Sequence, residues 1–474
     1  MDEELKRQLE RVGEALTLPS FNVGISYQGK RSFHSFGFRD GIKDAVDSKT
    51  IYPLASASKA FIAASVLMLA SEGLCELDKP VHDYLPEIEF YVPYMTEQIT
   101  IRDILSHRTG LPRHDVQMIL QGDVSLSEMM YLLRFLPPAY KLRERFHYQN
   151  HMFGLATYLV EELSGKPWQA FVQERILSPL KMKRTTTGFH DYYQIDDNYV
   201  APLVLKEGKN VPIPEMNPDN LGCCGSISAS IEDLLTWGEV NLGQGTLRGV
   251  SIYPQDCAVE LHKPTTPIRA GDLTPMPNPD EVSSFDYGLG WFIETYRDHK
   301  LVQHGGTLFG YKSLVGFMPD LDLAFAILIN QNSTLGCEVM ERYILDAYLK
   351  VEPNDWVDFY QSAQQVLKDK KAKTQKKLFG DPKTKVDYSC YVGVYQHPAY
   401  GQISFEVGEN CLVGTAGTAK FQLVPGKADQ FVLTTAMDPT GSPCHFIEGE
   451  KGAAVFSAKL DEDCPQNIEF VRVE

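Results

Sequence analysis

The chain has 474 residues and is acidic, with 45 Lys and Arg against 62 Asp and Glu and a formal net charge of -17. Hydrophobic residues make up 43% and charged residues 23%, a composition typical of a globular protein too long for one domain of roughly 100 to 200 residues. The negative charge disfavours nucleic acid and anionic membrane surfaces as partners, and no apolar run approaches the ~20 residues of a membrane span. We therefore expect more than one domain, no nucleic-acid partner and no membrane partner.

The amino-terminal segment MDEELKRQLERVGEALTL is charged and amphipathic. It lacks the continuous apolar region of a secretory signal, so it predicts a first helix. Nine cysteines at scattered spacings favour a reduced, cytoplasmic compartment. His147 and His151 are spaced for one helix face, but the sequence offers no third ligand for a metal beside them. We predict neither a metal site nor a cofactor.

The predicted elements begin with a β-hairpin over 21–40, where apolar residues alternate around Gln28 and Gly29. The run 56–74 is apolar at nearly every position and predicts a helix buried on most sides. Strands at both ends of this region enclose a helical middle, which predicts an α+β fold with an antiparallel sheet. The remaining helices are expected at about 101–105, 125–135, 151–164, 168–176 and 231–241, and the later strands from Tyr287, Tyr311 and Leu323.

The composition changes after about residue 350. The stretch 351–386 contains six lysines between 368 and 377, which predicts a charged connecting helix or linker with a solvated face. From 387 to 474 the chain has short alternating strands bounded by Gly, Pro and Asp, typical of a small all-β barrel or sandwich. The predicted organisation is therefore a domain over 1–350, a linker over 351–386 and an all-β domain over 387–474.

Ser56 precedes Lys59 by three residues at the start of the predicted buried helix. Residues i and i+3 of a helix share a face, so the lysine can take the serine proton and activate the hydroxyl as a nucleophile. The alternative is a helix cap with no chemical role. The SxxK spacing alone does not decide, because Ser178 and Lys181 repeat it where Pro179 indicates a cap or loop.

Two further motifs follow in chain order. Tyr148 and Asn150 form a YxN motif before a helix, where a phenol can relay a proton and a carboxamide can orient an amide or ester. Each residue also has a structural alternative: Tyr148 as a core aromatic and Asn150 as a helix cap. Later, His304, Gly305, Gly306 and Thr307 begin an apolar strand whose glycines would let a substrate approach the backbone, or would simply form a turn.

In this order the motifs resemble those of the serine β-lactamase and penicillin-binding-protein superfamily. The similarity is greatest to its class C β-lactamase-like group, which includes esterases, D-aminopeptidases and penicillin-binding-protein-type thioesterases and transesterases. The stretches ILSHRTGLPRHD, GSISASIEDLLTWG, YGLGWF and GFMPD are similar to the usual surroundings of these motifs, and the resemblance covers about 21–349. It implies a β-lactamase/transpeptidase-like fold, an antiparallel sheet flanked by helices with a mostly helical second lobe. The stretch YVGVYQHPAYGQISFEV resembles the lipocalin-like domain that follows the catalytic domain in some members.

The resemblance also implies a role for each motif residue. Ser56 would be the acylated nucleophile, Lys59 its base, and Tyr148 the group that shares proton transfer. Asn150 would bind the acyl-side amide or hold Lys59. The backbone N–H groups of Ser56 and Thr307 would form the oxyanion hole.

One departure from the β-lactamase pattern affects the predicted substrate. The usual Lys-Thr-Gly is replaced by His304-Gly305-Gly306, and a mostly neutral histidine suits a substrate carboxylate less well than a lysine cation. This favours an esterase, amidase, D-aminopeptidase, thioesterase or acyl-transfer reaction on a small-molecule or peptide substrate. The alternatives are a true β-lactamase and a non-catalytic binding or scaffold protein. A homo-oligomer is expected if the C-terminal barrel reaches a neighbour's site, as in some lipocalin-bearing relatives.

Overall fold

The structure is a computed structural model that describes residues 1–474 except 123, 274–280, 333–334, 380–385, 418, 428–429, 436–440, 450–451, 461–463, 465 and 474. Over the described ranges the chain forms thirteen α-helices: α1 (Glu3–Ala15), α2 (Lys59–Ser71), α3 (Pro93–Gln98), α4 (Ile101–Leu105), α5 (Asp115–Leu120), α6 (Leu126–Tyr131), α7 (Asn150–Ser164), α8 (Trp168–Val172), α9 (Ser178–Leu180), α10 (Ile231–Leu242), α11 (Gln255–Leu261), α12 (Gly336–Leu349) and α13 (Trp356–Leu378).

The same described ranges contain twenty-three β-strands: β1 (Ser20–Tyr27), β2 (Lys30–Gly37), β3 (Ile51–Pro53), β4 (Thr185–Thr186), β5 (Leu203–Lys206), β6 (Lys209–Pro212), β7 (Ser228–Ser230), β8 (Thr246–Leu247), β9 (Val250–Ser251), β10 (Thr266–Pro267), β11 (Val282–Tyr287), β12 (Phe292–Tyr296), β13 (His299–Leu308), β14 (Tyr311–Met318), β15 (Leu323–Ile329), β16 (Gly393–His397), β17 (Gly401–Val407), β18 (Leu412–Ala416), β19 (Ala419–Pro425), β20 (Phe431–Thr434), β21 (Ser442–Gly449), β22 (Gly452–Ala458) and β23 (Ile468–Arg472).

The main sheet has eight antiparallel strands in the order β10-β11-β12-β13-β14-β15-β1-β2. The predicted amino-terminal hairpin is β1-β2, and its turn residues Gln28 and Gly29 both have positive φ, 51° and 73°. Positive φ at both positions matches the right-handed twist of the flanking strands. Because β1 pairs with β15, the two ends of the region meet in one sheet, and the predicted α+β class with an antiparallel sheet is confirmed.

Helix α2 lies on the inner side of this sheet, within the helical lobe. Residues 59–69 are all buried, as the continuous apolar run predicts. The ring of Phe61 stacks on Trp237 of α10 with centroids 4.2 Å apart. A helix enclosed on every side holds the residues at its start in fixed positions.

Helices α1 and α12 cover the outer side of the sheet. They bury a second hydrophobic cluster that includes Leu9, Phe325 and Ile344. The first turn of α13 joins this cluster, because Trp356 is 1% exposed and its Nε1 donates to the Asp346 carboxylate at 2.8 Å. The lysine-rich stretch predicted to connect the two parts therefore contains a helix that starts within packed structure.

The strands β16–β23 close into an eight-stranded barrel, as the C-terminal pattern predicts. The turn between β16 and β17 packs against α5. Tyr400 Oη lies 2.6 Å from His114 Nδ1, and Gln117 Nε2 donates to the Ala399 carbonyl at 2.8 Å. The barrel thus contacts the helical lobe of its own chain.

One segment of the main sheet keeps an unpaired edge. Strand β12 pairs with β13 up to Gln303, opposite Phe292. Residues 304–308 of β13 pair with β14 on one side, and no described strand pairs with their other side. We call this segment the open edge of β13.

Candidate active site

Ser56 lies in a tight turn between β3 and α2. Ala55 has φ of 48°, a left-handed conformation that costs a residue with a Cβ free energy and is concentrated at functional sites. The turn is held from two sides, since the Leu54 N–H donates to the Ile227 carbonyl at 2.8 Å and Ser313 Oγ donates to the Leu54 carbonyl at 2.5 Å. The surrounding strands therefore fix the position of Ser56.

Lys59 is fully buried at the start of α2. Its Nζ lies 3.0 Å from Ser56 Oγ, 2.8 Å from Asn150 Oδ1 and 2.9 Å from the carbonyl oxygen of Cys224. The last two oxygens can only accept, so they take two of the lysine's N–H groups. The third direction points at the serine hydroxyl.

The Asn150 side chain is oriented by a carboxylate. Its Oδ1 accepts from Lys59, and its Nδ2 donates to Asp115 Oδ1 at 2.8 Å. Burial opposes ionisation of Asp115, but the Arg113 charge and the hydrogen bonds from Arg113 and Asn150 hold the pKa of this carboxyl below its usual value. A charged Asp115 fixes which face of the Asn150 amide meets the lysine.

Tyr148 lies beside this pair. Two cations face its ring, with Lys59 Nζ 5.1 Å and Arg113 Cζ 5.0 Å from the centroid. The His107 ring packs on it with centroids 4.2 Å apart. Burial and the Lys59 charge lower the pKa of His107 well below its usual value, so this histidine is a neutral packing group.

Strand β13 passes close to the nucleophile turn at Gly306. A Cβ built there would lie 2.0 Å from the Leu54 carbonyl oxygen and 2.9 Å from the Ser56 nitrogen. Only glycine permits this approach without displacing backbone. Thr307, the next residue, is exposed at the mouth of the site.

His304 is held by the protein itself. Its Nδ1 donates to the Gly305 carbonyl at 2.7 Å, which leaves Nε2 to accept from the Tyr287 hydroxyl at 2.9 Å. Burial, with the nearby Lys59 charge, lowers the pKa of His304 to about 3. The histidine at the position of the β-lactamase lysine is therefore neutral at pH 7 and forms the wall of the site.

Two cavities open on Ser56. One, of about 250 Å³, is lined by Asn150, Asp115 and apolar side chains that include Met118 and Leu308. The other, of about 300 Å³, is lined by Tyr148 and by β13 from Gln303 to Thr307. The serine lies where they meet, so a substrate can place one part on each side of its reacting carbon.

The structure therefore brings together all eight residues that the motifs indicate: Ser56, Lys59, Tyr148, Asn150, His304, Gly305, Gly306 and Thr307. The second SxxK motif, Ser178 with Lys181, is exposed on the surface. His151 Nε2 contacts Gln117 Oε1 at 2.6 Å, and the described residues hold no His, Cys, Asp and Glu group that could bind a metal.

Sequence reasoning missed three contributors to the site. Asp115 belongs to none of the catalytic motifs. Cys224 contributes its backbone carbonyl, which cannot be recognised from the type of side chain. Arg113 had no assigned role. The signal that could have indicated Arg113 and Asp115 is their position at the end of the ILSHRTGLPRHD stretch, which is similar to the surroundings of the motifs in related proteins.

An antiparallel sheet beside a helical lobe, with a Ser-Lys pair at the start of a buried helix, defines the class of penicillin-recognising folds. The chain belongs to the beta-lactamase family, whose family model matches residues 5–349.

Curated relatives include the unguisins hydrolase of Aspergillus campestris, 24% identical over 435 residues that cover 85% of this chain and 77% of that protein. Protein flp of Staphylococcus aureus is 25% identical over 327 residues, which cover 67% of this chain and 60% of that protein.

Solved structures share the fold. The octameric penicillin-binding protein homologue from Pyrococcus abyssi has a TM-score of 0.65 at 20% identity and covers 99% of this chain and 100% of its own. D-amino acid amidase from Ochrobactrum anthropi SV3 has a TM-score of 0.61 at 19% identity, covering 73% of this chain and 98% of its own. Among the described helices, none has the length and apolar character needed to cross a bilayer.

Proposed function

We propose that the protein is a serine hydrolase or acyltransferase that cleaves an ester or amide through a covalent acyl-enzyme on Ser56. The observation that carries this proposal is the coordination of Lys59. Two obligate acceptors, Asn150 Oδ1 and the Cys224 carbonyl, take two of the positions around Lys59 Nζ. The remaining position faces Ser56 Oγ at 3.0 Å, where the lysine can exchange a proton with the serine as a general base does.

In the acylation step, Ser56 Oγ gives its proton to Lys59 Nζ and forms a bond to the substrate carbonyl carbon. The carbonyl oxygen becomes an oxyanion beside the Ser56 and Thr307 N–H groups, which we propose as its donors. When the intermediate collapses, the bond to the leaving group breaks, and Tyr148 supplies the proton that the leaving group needs. Tyr148 recovers a proton from Lys59.

In the second step, water or another nucleophile attacks the acyl-enzyme. Its proton passes to the Tyr148–Lys59 pair, the bond between Ser56 Oγ and the acyl carbon breaks, and Oγ regains a proton. Lys59 Nζ and Arg113 Cζ, 5.1 Å and 5.0 Å from the Tyr148 ring centroid, hold the ring beside Ser56 by cation–π contacts.

The neutral His304 favours substrates without a carboxylate next to the reacting group, because it offers no cation and both ring nitrogens are used within the protein. This supports esterase, thioesterase or amidase chemistry over antibiotic hydrolysis. The D-amino acid amidase among the similar proteins supports the amide class, and the unguisins hydrolase supports hydrolysis.

We further propose that the chain divides into a catalytic domain over 1–350, a charged linker over 351–386 and a barrel domain over 387–474. The end of the family match at residue 349 and the start of the barrel strands at residue 393 support this division. The octameric state named for the Pyrococcus abyssi protein supports a homo-oligomer. A fully active protein that is a monomer in light scattering would exclude an obligate homo-oligomer.

The test is intact-protein mass spectrometry after incubation with p-nitrophenyl esters and a fluorophosphonate. We expect a covalent adduct on the wild type and on Ser178→Ala, which removes the serine of the exposed SxxK motif, and none on Ser56→Ala. A folded wild type that takes up no label from any reagent would leave the protein as a binding or scaffold member of the family.

A further inference from the structure

The cavity of about 300 Å³ beside Ser56 continues past the open edge of β13 to the outer side of the sheet. Its lining includes Ser56 and Tyr148 at one end and, at the other, buried charged side chains that include Glu294 of β12 and Glu341 and Arg342 of α12. These are 1%, 2% and 4% exposed. Charged groups are rarely buried to this degree unless they are paired or bind something.

The pairing of these charges is incomplete. Arg342 Nη2 donates to Glu294 Oε2 at 2.9 Å, and Gln303 Nε2 donates to Glu294 Oε1 at 3.1 Å, so Glu294 has a partner on each oxygen. Arg342 Nη1 and Glu341 Oε1 have no hydrogen-bond partner in the described part of the chain. An unpartnered buried polar atom costs free energy, so a ligand that forms hydrogen bonds with both atoms would recover it.

The two unpartnered atoms have opposite hydrogen-bonding character. Arg342 Nη1 can only donate. Glu341 Oε1 is an acceptor, and its nearest cation, Arg342, lies 3.8 Å away. Burial raises the pKa of the Glu341 carboxyl to about 8 despite this neighbour. The site therefore offers one donor and one acceptor to a ligand, and an amide, which has one acceptor and one donor, fits both.

The direction of the cavity indicates which part of the substrate enters it. In the proposed reaction Tyr148 protonates the leaving group, and Tyr148 lines this cavity. Asn150, for which binding the acyl-side amide is one of the two expected roles, lines the other cavity. The leaving group therefore points towards Glu341 and Arg342.

We propose that Glu341 and Arg342 form a leaving-group subsite for a peptide amide, so that the preferred substrates release an amine carrying a further amide group. The ligand C=O accepts from Arg342 Nη1, and the ligand N–H donates to Glu341 Oε1. This inference rests on the proposed function for its orientation, and it narrows the substrate class from esters and amides in general to peptides.

The kinetic test uses matched substrates that share one acyl group and one scissile amide. Their leaving groups are glycine N-methylamide or glycine methyl ester, and the corresponding dipeptides, so that within a pair one distal N–H is replaced by an ester oxygen. We expect the wild type to favour the amide member about 10-fold in kcat/KM, the value of one hydrogen bond. In Glu341→Met the ratio should fall to about one, and in Glu341→Gln, which keeps an acceptor oxygen, it should be retained.

Each variant's rates are expressed relative to its own acylation by a p-nitrophenyl ester, which corrects for any change at Ser56. Equal kcat/KM for both members of every pair in the wild type overturns the subsite. This comparison uses the wild type alone, so it does not depend on the folding of any variant. A preference that survives Glu341→Met overturns the assignment of Glu341.

A binding test separates this inference from the proposed function. Calorimetry on Ser56→Ala compares the Kd of the N-methylamide and methyl ester compounds without any turnover. An amide preference in Kd with no acylation of the wild type supports the subsite and contradicts the hydrolase. Acylation of the wild type without an amide preference supports the hydrolase and contradicts the subsite.

Discussion

A glycine whose missing side chain keeps two backbone segments in contact is the most constrained residue of the site. The strand carrying Gly306 lies against the turn carrying Ser56, and Ser313 Oγ would lie only 2.6 Å from a Cβ at position 306. Both proposed oxyanion donors, the N–H groups of Ser56 and Thr307, are next to this contact. Their separation therefore depends on a residue that has no side chain.

We expect Gly306→Ala to lower the rate of Ser56 acylation by about 100-fold or more, because the added carbon must push apart the two segments that hold the donors. The matched variant is Gly305→Ala, whose Cβ would meet only the Ser313 carbonyl oxygen at 3.4 Å. We expect Gly305→Ala to lower the acylation rate much less than Gly306→Ala does. Burst-phase acylation by a p-nitrophenyl ester measures both, and equal losses in the two variants would contradict this account of Gly306.

At the scale of elements, the short helix α5 connects the barrel with the catalytic pair. Asp115 at its start orients Asn150, and His114, just before it, meets Tyr400 of the barrel. Burial lowers the pKa of His114 to about 3, and its Nε2 faces the Pro137 carbonyl at 3.4 Å. In the neutral ring Nε2 then carries the proton, and Nδ1 accepts from the tyrosine hydroxyl.

Tyr400→Phe removes the donor to His114 at a buried contact, which costs about 1 to 3 kcal/mol of stability and loosens α5. We expect a lower urea midpoint and a several-fold lower kcat. Tyr388→Phe is the control, because it also removes a barrel hydroxyl, bonded to the Asn410 carbonyl at 2.8 Å, without touching α5. An unchanged kcat in Tyr400→Phe would show that the barrel contact does not act on the site.

At the scale of the whole molecule, burial keeps several histidines neutral. It lowers the pKa of His262 and His304 to about 3 and of His151 and His397 to about 4. In the unfolded chain these groups titrate near pH 6.5. Between pH 6.5 and 4 the unfolded state therefore binds more protons, so the free energy of unfolding falls as the pH falls.

His262 is suited to a test of this effect because it lines neither of the two cavities that open on Ser56. Its ring packs on Trp291 and Phe317, and burial together with the Lys300 charge lowers its pKa. We expect His262→Gln to reduce the acid-side slope of unfolding free energy by up to about 1.4 kcal/mol per pH unit. Urea denaturation from pH 4.5 to 6.5, with the exposed His190→Gln as the matched variant, measures the difference. Equal slopes of unfolding free energy against pH in the two variants would contradict the assignment of this effect to His262.

The sequence could predict the meeting of Ser56 with Lys59, because the 3-10 turn Ala55–Ser58 that leads into α2 brings residues i and i+3 together, as a helix does. It also predicted the strand and helix pattern that makes the sheet and the barrel, since alternation and apolar runs depend on local burial. Asp115 and the Cys224 carbonyl could not be found in this way, because their roles arise from contacts between segments distant in the chain. The role of Glu341 and Arg342 could not be predicted for the same reason, since both residues fit an ordinary helical pattern on α12.

The open edge of β13 has a cost for the protein in the cell. Most proteins cover or blunt a free strand edge, because its unpaired N–H and C=O groups can recruit another chain. Here residues 304–308 must remain uncovered for a substrate to reach Ser56, so this protection is not available at the site. We expect aggregation under heat stress to begin by strand pairing at this edge, and an extended peptide that occupies it to act as a chemical chaperone.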